Sequence, residues 1–167
     1  MAYIFLITVF PFCMIFAAVS DVMTMTIPNR LCLLLAAGFP VAVLAGGMPL
    51  EQAAIFAAFG VGTFFIGFAL FAGGLIGGGD AKMLAATAFW IGPFDAGLYL
   101  VYATALGGAL ALFLLYSRTM IAPVTGFAFA DRLLSRETGV PYGVALAIAG
   151  LLVYADGPFM EAALRAS

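Results

Sequence analysis

The sequence predicts an all-α, polytopic membrane protein with about six transmembrane helices. Two composition figures and one pattern carry that prediction. Hydrophobic residues make up 66% of the 167 positions, charged residues only 8%, and the mean hydropathy is +1.22. Soluble domains carry about a quarter charged residues, and six Lys plus Arg with eight Asp plus Glu cannot coat a solvated surface. A hydrocarbon core needs roughly 20 apolar residues per crossing helix. Apolar runs of about that length occur at 2–20, 31–47, 52–72, 77–92, 97–116 and 141–157, bounded by charges, glycine or proline.

The first run has no Lys or Arg ahead of Arg30, so it lacks the positive flank of a secretory signal peptide and reads as a retained span. Counted from Asp80 to Gly92, the fourth run is only about 20 Å long at about 1.5 Å per residue. A crossing helix there has to begin in the preceding glycines. Basic residues set orientation, because Lys and Arg stay in cytoplasmic loops. With both termini outside, Arg30, Lys82, Arg118, Arg132 and Arg136 all fall inside, and only Arg165 falls outside. The long 117–140 segment reads either as a surface helix over about 127–137 or as a solvated linker. The chain, 1–167, reads as a single membrane-embedded domain.

Several chemistries are excluded at once. No basic patch is available for nucleic acid. Histidine is absent, which removes Ser-His-Asp and Cys-His sites. Cys13 and Cys32 stand apart in apolar runs and form no metal-ligand pattern, so neither a metal nor a cofactor is expected.

Two carboxylates stand out. Asp21 ends the first run and Asp80 begins the fourth after Gly77-Gly78-Gly79, which places both near one membrane boundary. Ionisable groups there cost about 2.5–3.5 kcal/mol on insertion scales and usually face a wet cavity. Taken singly, Asp21 is explained as a helix end at the headgroups and Asp80 as the N-cap of a helix from Ala81. The glycines are explained by helix packing, and Lys82 by a positive-inside anchor. Pro28-Asn29 is explained by a turn, and Pro141-Tyr142-Gly143 by a helix start. Taken together, two carboxyls at one depth supply the parts of an aspartyl protease, one deprotonating a water and the other protonating a carbonyl. A small transporter or channel subunit holding a cation or proton between the acids is the alternative. A weaker one uses Ser20 as nucleophile with Lys82 as base, although no apolar surround for Lys82 is visible in the sequence.

Asp21, Ile27-Pro28-Asn29, Gly77-Gly78-Gly79-Asp80-Ala81-Lys82 and Pro141-Tyr142-Gly143, in this order, resemble the type IV prepilin leader peptidases, GxGD-type aspartic proteases of the bacterial inner membrane. The resemblance implies that Asp21 and Asp80 are the catalytic pair and that Gly77 and Gly79 are the motif glycines. It implies a prepilin or pilin-like precursor as partner, cut at the cytoplasmic face just before its apolar helix. The first inside loop carries no cysteine pair, so the N-methyltransferase activity of the long members is not expected. The short form is similar to the peptidases of Flp, or tight-adherence, pili. Such relatives often carry basic residues between Asp21 and Ile27, where this chain has Val22-Met23-Thr24-Met25-Thr26.

Overall fold

Each apolar run becomes a helix, and two further helices lie outside the runs. A computed structural model describes residues 2–122 and 124–166; Pro123, in the long 117–140 segment, lies outside the described residues, as do Met1 and Ser167. The helices are α1 (Ala2–Thr24), α2 (Asn29–Gly46), α3 (Leu50–Ala72), α4 (Gly78–Ile91), α5 (Ala96–Met120), α6 (Ala128–Leu134), α7 (Tyr142–Ala155) and α8 (Pro158–Arg165). No strand occurs among the described residues.

Helices α1, α2, α3 and α5 are long and apolar enough to cross a membrane, and α7 with α8 forms a fifth candidate span bent by 48°. Helix α4 has 14 residues, about 21 Å of rise. It begins inside the glycine run, as expected, and is too short for a full crossing by itself. Among the described residues, four helices are thus long and apolar enough to cross a membrane, or five if the bent pair is one span, against about six expected.

The two 14-residue helices, α4 and α7, form the centre. Ala81, Met83, Ala85, Ala86, Thr87, Ala88, Trp90 and Ile91 of α4 are buried almost all round, as are Gly143, Ala145, Ala147, Ala149, Gly150, Val153 and Tyr154 of α7. In lipid, helices associate through close packing rather than through a hydrophobic driving force, and small residues allow that approach. Helix α7 packs on α1, α4 and α5. Helix α1 turns one stripe inward, Leu6, Phe10, Met14 and Ala17, and Asp21 continues it at helical spacing.

Aromatic rings fill the end of the bundle away from Asp21. Trp90 lies 5.5 Å from both Phe10 and Phe159, and Phe10 stacks on Tyr154 at 4.3 Å. The polar atoms in this cluster are paired, as burial requires: Trp90 Nε1 donates to Leu35 O at 2.9 Å and Tyr154 Oη to Leu6 O at 2.8 Å. Helix α4 stops at Gly92, where φ is +74° and a Cβ would fall 2.4 Å from the Phe56 ring. Only glycine meets both conditions.

Helix α8 was not legible, because Pro158 reads as the end of the preceding run. Pro158 instead opens an amphipathic helix whose Phe159 and Ala163 pack beneath α1 and α2, with Glu161 and Arg165 paired outside. Helix α6 lies within the expected 127–137 segment. Arg118 donates to Leu133 O and Gly139 O at 2.8 Å each, and Arg132 donates to Met23 O at 2.7 Å. These arginines therefore tie the long segment to the ends of α1 and α5. The Thr125 hydroxyl and amide bond Asp131 at 2.7 and 2.6 Å and hold its carboxyl below the usual carboxylate range.

Helix α3 is held mainly by α4. The contact runs over Gly60 and Gly67. A Cβ on Gly60 would lie 2.5 Å from Phe89 Cγ, and one on Gly67 would lie 3.2 Å from Ala81 O. Gly60→Ala is therefore expected to destabilise the detergent-solubilised protein by about 1–3 kcal/mol, the usual cost of overpacking. Gly62→Ala, whose Cβ meets nothing within 4 Å, serves as control. Thermal unfolding should fall for the first and hold or rise for the second.

Candidate functional site

Asp21 sits on the last turn of α1 with 6% of its surface exposed. A buried carboxyl needs hydrogen-bond donors, and the start of α7 supplies one. The Gly143 N–H donates to Asp21 Oδ2 at 2.8 Å. Helix N-termini carry unpaired amides and a positive dipole end, which suit an anion. Glycine is needed at 143 for space: a Cβ there would lie 2.7 Å from Asp21 Oδ2 and 2.9 Å from Ile27 Cδ1. Pro141, just ahead of α7, takes φ −74° and ψ 79° and ends the incoming loop.

Asp80 is the third residue of α4, not its N-cap. Gly77 holds the cap position, with φ −68° and ψ 144°. The N-cap expectation for Asp80 fails because the helix starts three residues before Ala81, so the carboxyl lies within the first turn. It folds back over Gly77, whose Cβ would come within 2.9 Å of Asp80 Oδ2. Gly78 faces the Phe71 ring, 3.0 Å from a Cβ, and Gly79 faces Ile27 at an ordinary 3.7 Å. The three glycines thus meet three different neighbours: the acid, α3 and the loop before α2.

The structure brings both acids to one cavity of about 250 Å³, lined also by Gly77, Gly78, Gly79, Lys82 and Tyr142. Gly143 touches the site through its amide. Pro28, Asn29 and Pro141 stand behind the lining: Pro28 caps α2, and Asn29 Oδ1 accepts a hydrogen bond from Lys82 Nζ. Tyr142 reaches the cavity because Gly107 of α5 leaves room for its ring, 2.8 Å from where a Cβ would stand.

Three lining residues were not singled out by sequence: Met25, Thr26 and Val140. Met25 takes φ +55°, uncommon for a side-chain-bearing residue, and ends α1 sharply beside Asp21. The Thr24 and Thr26 hydroxyls bond each other at 2.7 Å, and Ser20 Oγ donates to Thr26 O at 2.8 Å. The polar residues between Asp21 and Ile27 thus bond among themselves and shape the turn. Two threonines close after an acid were the available signal for this turn, and nothing in the sequence marks Val140.

The Ser20–Lys82 arrangement is not formed, since Ser20 is bonded within its own turn and Lys82 to Asn29. The surroundings of Lys82 also differ from expectation. It borders two apolar cavities lined by Phe64, Phe68 and Phe71 and by Leu33, Val61 and Phe89. Phe89 lies two turns along the same helix, whereas Leu33 of α2 and the side chains from α3 border these cavities only through the tertiary fold.

The family model described as "Type IV leader peptidase family" matches residues 8–115, a stretch that holds both Asp21 and Asp80 and stops before α6 and α7. No curated protein and no solved structure matches the chain. With well over half of its length matched, the chain belongs to the type IV leader peptidase family.

Proposed function

We propose that the protein is an aspartic endopeptidase that removes the leader peptide of type IV, Flp-like prepilins at the cytoplasmic face of the bacterial inner membrane. Asp21 and Asp80 activate the attacking water. One observation supports this above the others: in a chain without histidine, two carboxyls from separate helices border one cavity at the end of the bundle.

Two close carboxylates do not both ionise readily, so the pair holds a shared proton. The ionised member takes a proton from water as the water oxygen adds to the scissile carbonyl carbon, and the protonated member passes its proton to the carbonyl oxygen, giving a neutral gem-diol. As the C–N bond breaks, the carboxyl that took the water's proton gives it to the leaving nitrogen, and the other carboxylate takes a proton from a diol hydroxyl, which restores the starting pair. The Gly143 amide keeps Asp21 Oδ2 in place through these steps. Gly77 leaves the space above Asp80 free of a side chain, where an extended peptide fits.

Topology supports the cytoplasmic assignment. Lys82, Arg118 and Arg132 bond to groups around the same end of the bundle as Asp21, and Arg30 opens α2 there. Basic residues mark the inner side, so the acid pair would meet a substrate leader in the cytosol. The chain, 1–167, then works as one domain with both termini outside. No methyltransferase activity is predicted, since the loop between α1 and α2 carries no cysteine pair. Membership in a peptidase family weighs against the acids serving a transported cation.

Replacing Asp21 or Asp80 by Asn is expected to cut leader removal by at least about 100-fold, the usual contribution of a general acid or base, without impairing insertion. Ser20→Ala should cleave normally. A gel shift of a co-expressed prepilin reads all three, and full cleavage by either Asn variant would reject the acid pair. Gly143→Ala displaces Asp21 without removing a carboxyl. A misplacement of about 1 Å costs on the order of 100-fold, so kcat should fall by about that factor. Overpacking at the α1–α7 contact should lower thermal unfolding as in Gly60→Ala, whose kcat at similar stability is the control.

A further inference from the structure

Helices α2 and α3 are joined by only residues 47–49, yet α3 leans on α4 and hardly touches α2. Consecutive elements usually pack together. Here they stand apart around an apolar cleft of about 450 Å³. Leu33 and Ala36 of α2 form one wall, Val61 and Phe65 of α3 the other, and Ala85 and Phe89 of α4 the floor. Leu33 and Phe65 are 66% and 64% exposed, so the cleft opens sideways.

Its two ends differ. At the end nearer the acids it reaches Asn29 and Lys82, and Lys82 also lines the cavity of Asp21 and Asp80. The cleft and the acid cavity are therefore neighbours across one side chain. Lys82 is bonded to a neutral amide, and among the described residues no carboxylate lies within salt-bridge distance of it. A cation so placed can accept a new partner without breaking an ion pair.

We propose that this cleft docks one face of the substrate's apolar helix, so that the polar flank of that helix passes Lys82 and enters the acid cavity. The proposal rests on the peptidase reading above and specifies how the substrate is held. A helix fits the apolar walls and the polar end together. The cleft takes side chains from one helix face and leaves the other face in lipid. A lipid tail would match the walls alone and would place nothing over the acids. Lys82 meets backbone carbonyls of the segment where the helix gives way to the extended flank. The Asn29–Lys82 hydrogen bond opens as the flank enters.

Docking is tested by filling the cleft away from the acids. Ala36→Trp and Val61→Trp each place an indole between the walls, and Leu112→Trp, on the exposed face of α5, is the control. Two probes are used in reconstituted vesicles: a prepilin with its apolar helix, and a soluble peptide carrying the leader and cleavage site alone. The cleft variants should raise KM for the prepilin at least tenfold, treat the short peptide as the unmodified protein does, and unfold at its temperature. In a second arm, a photoreactive benzoylphenylalanine at Leu33 in Asp80→Asn protein should cross-link to the prepilin helix, and one at Leu112 should not. Unchanged KM for the prepilin, equal loss on both probes, or cross-links to phospholipid alone would each overturn the proposal. These results leave the peptidase reading standing as long as the unmodified protein cleaves and Asp80→Asn does not. No cleavage by the unmodified protein would remove both.

Discussion

The hydrogen bond from the Gly143 amide to Asp21 joins the N-terminus of α7 to the last turn of α1, and the candidate site is arranged around it. A carboxyl at 6% exposure in an apolar bundle has to be met by a donor. A helix N-terminus is the cheapest donor available to a chain with six basic residues and no histidine. That requirement explains why α7 is lined with small residues, since its first turn has to come within hydrogen-bond distance of α1. It also explains why a glycine stands at the contact, where any side chain would strike the carboxyl or Ile27. Close α1–α7 packing leaves α4 to complete the centre, and α4 brings Asp80 to the same cavity.

Much of this arrangement was visible in the residue order. The apolar runs located six of the eight helices, because crossing length and charge boundaries are strong signals in lipid. The two acids and the glycine run stood out because charge is so scarce in the chain. Finer features depended on packing that no local pattern encodes. Asp80 reads as a cap until the helix is seen to start at Gly78. Lys82 reads as a simple anchor until Phe64 and Leu33, distant in sequence, are found lining a cavity with it. Arg118 and Arg132 read as topology markers, and they also bind the carbonyls that end neighbouring segments. Helix α8 was hidden because proline both stops helices and starts them.

The peripheral helix α3 has a different character from the rest. Its apolar rings point largely outward, and its hold on the bundle runs through glycines against α4. A helix fastened along one side and free along the other is suited to flank an entry route from the bilayer. The site it flanks combines a buried, amide-bonded acid with a more accessible one, so the two carboxyls have unequal surroundings from the outset.

Positions 21 and 80 line one cavity, and on the proposed reading it opens to one side of the membrane. In protein carrying Cys13→Ala and Cys32→Ala, Asp21→Cys and Asp80→Cys can each be challenged with a small membrane-impermeant thiol reagent in vesicles of either orientation. Both positions should react from the cytoplasmic side only, and in the double variant a short bis-maleimide should bridge them within one chain. Reaction of the two positions from opposite sides of the bilayer would contradict the account.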